Sequence, residues 1–175
     1  PNIPNRRSKT WSKTSLTYIS YGYEQQITPL QTLALYNAVA NDGYWVRPTI
    51  VRQVGSESSN ALVYKPFTTD TRISSPETIK LVQKMLQGVV ERGTATNIRS
   101  RHYTLAGKTG TAQKLIKGKY YKGRYYTSFA GYFPADKPKY SCIVVVDDPK
   151  GFTMERLYAG SVAAPVFKEI ADRIF

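Results

Sequence analysis

Leu105-Ala106-Gly107-Lys108-Thr109-Gly110-Thr111-Ala112 is the stretch whose reading decides the fold. It combines a lysine, two threonines and two glycines in a short strand-like run. Lys108 supplies a cation, Thr109 and Thr111 supply hydroxyl donors, and Gly110 lets a substrate backbone approach closely. A backbone N–H just beyond Gly110 can face a developing oxyanion. Strict alternation sets Lys108 and Gly110 on one face of the strand and Thr109 and Thr111 on the other. Both sets reach one cleft only if the strand twists at its rim.

Outward from this run the punctuation is regular. A basic, tyrosine-rich tip, Lys117 to Arg124, precedes two apolar runs, Thr127–Phe133 and Tyr140–Val146, joined by Pro134-Ala135-Asp136-Lys137-Pro138-Lys139. So short a joint predicts an antiparallel hairpin. The expected strands are 108–115, 124–133 and 140–147. A helix over 160–174 follows from Val162, Val166, Ile170 and Ile174, with Pro165 in its first turns. Upstream, Ser75-Pro76-Glu77 caps a helix with the stripe Ile79, Val82, Met85, Leu86 and Val89, stopped by Gly93. Thr28-Pro29 opens another over 29–41, stopped by Gly43. Between these helices, Trp45–Val54 reads as a strand interrupted by Pro48, returning through a polar turn to Ala61-Leu62-Val63-Tyr64. Residues 1–20 show no sustained period and read as loop.

Composition narrows the chemistry. The 175 residues are 41% hydrophobic and 21% charged, too apolar for a disordered chain and too polar for a membrane bundle. No stretch approaches the ~20 apolar residues of a membrane span, and Pro1 to Lys13 lacks a signal-peptide core. One cysteine, Cys142, and one histidine, His102, exclude an internal disulfide and multi-histidine or cysteine-only metal sites. Cys142 alternates with apolar neighbours and is expected to be a buried small hydrophobe. His102 is expected on the surface, and Asp147-Asp148 in a strand-end turn. No metal or cofactor is expected. The net charge of +13 favours anionic partners. Lys114, Lys117, Lys119, Lys122 and Arg124 interleave with tyrosines, as on a single-strand nucleic-acid platform. No nucleic-acid motif accompanies them, so no nucleic acid is expected.

The element AGKTGTAQ (106–113), with TSFAGYFPADKPKYSCIVVV (127–146), AAPVFKEIAD (163–172) and SYGYEQQITPLQTLALYNAVANDGYWVRPTIV (20–51), resembles the C-terminal half of a class B penicillin-binding protein transpeptidase domain. The likeness is to the division-specific FtsI type of Bacteroidetes-like sequences. It implies an α/β fold of the α+β type, shared with serine β-lactamases, with helices flanking the last three strands of a five-stranded antiparallel sheet. It also implies a peptidoglycan D,D-transpeptidase of septal cell-wall synthesis, working without cofactor at the periplasmic face of the inner membrane. The substrate would be a stem peptide ending in D-Ala-D-Ala, β-lactams would bind in its place, and an FtsW-type glycosyltransferase and other division proteins would be partners. By the same resemblance Lys108 lines the cleft and helps proton transfer. Thr109 and Thr111 bind the terminal carboxylate beside Gly110, and the Thr111 N–H is one oxyanion donor.

The departures are as informative. No Ser-x-x-Lys occurs in the chain; Thr111-Ala112-Gln113-Lys114 has only its spacing. Ser58-Ser59-Asn60 matches Ser-x-Asn but follows the Thr-Pro-Leu-Gln helix, where the family's motif precedes it, and reads as a chance turn. Residues 1–175 are therefore expected to be the C-terminal portion of the domain, with the nucleophile in its missing N-terminal half. A sheet reduced to three strands should leave one face uncovered. Two readings stay open beside this one: an elongation-specific transpeptidase of the same family, and a non-catalytic basic module for an anionic polymer. The chain by itself should take no covalent label from a fluorescent penicillin. A stoichiometric labelled band on a denaturing gel would contradict that.

Overall fold

The computed structural model describes residues 4–9, 11–55, 62–151 and 157–175. Its helices begin where the caps stand. In α2 (Pro29–Ala40) the Thr28 hydroxyl accepts the Gln31 N–H at 3.2 Å, and the Gln31 side chain accepts the Thr28 N–H at 3.0 Å. The helix closes where the Gly43 N–H reaches the Ala38 carbonyl at 2.7 Å. In α3 (Pro76–Arg92) the Ser75 hydroxyl accepts the Thr78 N–H at 3.2 Å.

The segment between them departs from expectation. Instead of one strand returning once, β1 (Tyr44–Val46) pairs antiparallel with β4 (Thr68–Arg72), and only β2 (Gln53–Val54) pairs with β3 (Leu62–Val63). Pro48, which has no N–H to give a ladder, lies between the two halves. β4, Thr-Thr-Asp-Thr-Arg, carries no apolar alternation and gives a pattern search nothing to find. Ser58-Ser59-Asn60 lies outside the described residues. The expected loop over 1–20 contains α1 (Ser15–Ser20), too short to register as a period.

The three expected strands form one antiparallel sheet in the order β5 (Ala106–Ile116), β6 (Lys119–Phe133), β7 (Tyr140–Asp147). β5 and β6 run longer than predicted because the tip narrows to Lys117-Gly118. A bulge moves the register from Gln113↔Tyr125 to Lys114↔Tyr121 and absorbs the extra residues of β6. Close approach fixes the pairing: a side chain at Gly131 would sit 2.2 Å from the Ala106 carbonyl.

α4 (Ala159–Ile174) covers one face of this sheet and stays helical through Pro165. Phe167 meets Phe129 at 4.7 Å and Phe133 at 5.6 Å, both edge to face, and all three are fully buried. Removing such a ring costs about 3–5 kcal/mol. α3 sends Val90 into that core and Val82 and Leu86 to the opposite face, where α2 adds Val39 over Tyr132. Met85, expected in the buried stripe, is exposed. Cys142 is half-buried against the α4 core, and burial pushes its thiol up. Of the alternating sheet residues, Phe129 and Tyr132 are covered, while Ile143 and Val145 are only half-buried.

The Tyr132 hydroxyl is buried and finds no hydrogen-bond partner among the described residues; burial pushes its ionisation up to about 12. A raised acid pKa means stability that is complete below the unfolded value of about 10 and lost as pH rises through about 12. Tyr132→Phe removes both an unpaired buried hydroxyl and that ionisation. Thermal melts of the variant should match or exceed the wild type at neutral pH, with the difference widening in alkali. A variant that melts lower at every pH would show that the hydroxyl is paired.

Candidate active site

Alternation along β5 distributes the Lys-Thr-Gly-Thr run as the sequence requires. Opposite Ala130, Ser128 and Tyr126 on β6, the positions of Lys108, Gly110 and Ala112 share the face that carries Ile143 and Val145. This half-covered face is the floor of a cleft of about 490 Å³, lined also by Lys108, Thr109, Gly110 and Thr111. The four expected site residues are thus brought together at its rim. A side chain at Gly110 would come within 2.7 Å of the Ser128 hydroxyl, so the glycine keeps this floor low.

The threonines turn the other way. The Thr111 hydroxyl accepts the N–H of Ala159, the first residue of α4, at 3.2 Å. The Thr109 hydroxyl lies 2.9 Å from that of Thr94, just beyond α3. Lys108 bends over the strand edge: its Nζ donates to the Thr109 carbonyl at 2.9 Å and contacts the Thr109 hydroxyl at 3.3 Å. The ammonium forms no ion pair among the described residues.

β5 is an edge strand, so every second residue offers its N–H and carbonyl outward. The Gln113 N–H is directed at the Tyr23 hydroxyl, 3.4 Å away. By alternation the Thr109 and Thr111 N–H groups lie on the same open edge. Tyr23 closes the edge beyond them, held against Tyr120 at 5.0 Å and Tyr21 at 5.5 Å.

Other candidates fall outside the cleft. His102 is exposed at the far side of the chain from this floor, beside Lys168 and Asp172. Asp147 pairs with Lys114, and Asp148 with Arg124 at 2.5 Å and Lys150 at 2.7 Å. The hydrogen bond from Arg124 is the main reason that the Asp148 carboxyl stays far below its ordinary range. No group of three or more potential metal ligands occurs among the described residues. Tyr21, Tyr23 and Thr94 were not singled out by sequence. They reach the site only through tertiary contact, and their local strings carry no sign of it.

Residues 3–172 match the penicillin binding protein transpeptidase domain. The chain belongs to that family. The chain is 36% identical to the penicillin-binding protein PbpB of Mycolicibacterium smegmatis, over 93% of the chain and 26% of that protein. It is 30% identical to the peptidoglycan D,D-transpeptidase FtsI of a Buchnera aphidicola strain, over 98% of the chain and 28% of that protein. The solved structure of penicillin binding protein 3 from Mycobacterium tuberculosis complexed with ampicillin superposes with a TM-score of 0.78 at 30% identity, covering 94% of the chain and 38% of that structure. The chain thus spans about a quarter of the length of these curated relatives.

Proposed function

We propose that this chain forms the Lys-Thr-Gly wall of the active-site cleft in a peptidoglycan D,D-transpeptidase of septal cell-wall synthesis. The observation that carries the reading is the joint placement of Lys108, Thr109, Gly110 and Thr111 along one cleft at the edge of the sheet. In the whole protein a serine from the part of the domain outside this chain attacks the carbonyl of the penultimate D-Ala. Its Oγ–C bond forms, the C–N bond to the terminal D-Ala breaks, and the serine proton leaves on the departing amine. An amine of a neighbouring stem then attacks the ester, forms the crosslink and returns a proton to the serine. Thr111 N–H stabilises the oxyanion in both steps, and Lys108 supplies positive charge and a route for protons.

The terminal carboxylate fits the hydroxyls of Thr109 and Thr111. Thr111 accepts the Ala159 N–H, which leaves its own proton to donate. β-Lactams would enter the same cleft, and the ampicillin complex of the Mycobacterium tuberculosis relative supports this. The FtsI name of the Buchnera relative favours division over elongation. The Bacteroidetes-like subtype rests on the likeness of the 20–51, 106–113, 127–146 and 163–172 blocks taken together. With that reading go the periplasmic face of the inner membrane and an FtsW-type glycosyltransferase as partner.

In the full-length protein, Lys108→Ala should slow acylation by a β-lactam ~10²-fold or more. Thr111→Val should weaken carboxylate recognition while sparing the backbone donor. Stopped-flow acylation rates within about threefold of wild type for both would remove the Lys-Thr-Gly run from the chemistry.

A further inference from the structure

Thr94 takes no part in the roles assigned so far, yet its hydroxyl is 2.9 Å from that of Thr109. A threonine hydroxyl carries one proton and two lone pairs. At Thr109 the Lys108 ammonium, which can only donate, lies at 3.3 Å on one side, and Thr94 approaches on another. A carboxylate can only accept. When one arrives at the rim, Thr109 must spend its proton on the ligand, and Thr94 must then donate to Thr109. Hydrogen bonds arranged head to tail polarise one another.

The backbone around Thr94 is fixed from two sides. The Ala95 N–H closes the end of α3 on the Val89 carbonyl at 3.1 Å. At the start of α4, Gly160 packs so close to the Thr94 carbonyl that a side chain there would sit 2.9 Å from it, and the Asn97 amide holds the Gly160 carbonyl at 2.9 Å. The hydroxyl is thus presented by rigid elements rather than by a free loop.

We propose that Thr94 is a positioning residue for ligand recognition: it donates to Thr109 and so commits the Thr109 proton to the carboxylate of the substrate or β-lactam. This rests on the transpeptidase reading given above. The test uses the full-length protein with Thr94→Val and Thr94→Ser, and measures acylation by benzylpenicillin and by its methyl ester, which lacks the carboxylate charge. Thr94→Val should slow acylation by the acid about fivefold to tenfold and leave the ester within about twofold. Thr94→Ser, which keeps the hydroxyl, should restore the acid rate, and all three proteins should melt alike. A wild type that acylates normally while Thr94→Val loses nothing, or loses equally with acid and ester, overturns the inference and leaves the transpeptidase reading intact. A Thr94→Ser variant as slow as Thr94→Val also overturns it. A wild type that accepts no β-lactam at all overturns the transpeptidase reading and this inference with it.

Discussion

The site depends on how closely β5 lies against β6. At Gly131 no side chain fits between the strands, and at Gly107 one would press within 2.6 Å of the Phe129 ring. With both positions bare, the register Gly107↔Gly131 holds, and the pairs Lys108↔Ala130 and Gly110↔Ser128 follow. A slip of one residue would turn Lys108 and Gly110 under α4 and away from the cleft floor. The placement of the Lys-Thr-Gly run is therefore a consequence of two glycines outside it or at its edge, Gly107 and Gly131.

That register also gives the sheet two differently covered faces. Under α4, Phe129, Phe133 and Phe167 make a dry core. On the other face α2 and α3 cover Tyr132, and the cover ends before Ile143 and Val145. Apolar burial is worth roughly 25 cal/mol per Å², so the half-buried Ile143 and Val145 hold back part of what a fully covered face would contribute. Leu30 and Leu35 on α2 and Leu81 and Met85 on α3 are exposed as well. The cleft floor and this half-covered face are one surface.

Much of this was legible because the decisive signals are local. Thr28-Pro29 and Ser75-Pro76 announce their helices by capping chemistry that needs no partner, and the short Pro134–Lys139 joint allows only a hairpin. The opposed faces of Lys108 and Thr109 could be read from alternation alone. The rest is tertiary. β4 is polar throughout and becomes a strand only because β1 lies beside it. Tyr23 and Thr94 stand 90 and 15 residues from the positions they contact, with no spacing that marks them. Sequence therefore exposed the half of the rim that β5 carries and concealed the half supplied by other elements.

The central claim is that the floor of the Lys-Thr-Gly cleft is a sheet face that α2 and α3 cover only in part. Size-exclusion chromatography with light scattering, together with binding of a hydrophobic dye, tests it on the isolated chain. The account predicts self-association or strong dye binding at the open face. A monodisperse monomer near 19.7 kDa that melts cooperatively and binds no dye would contradict it.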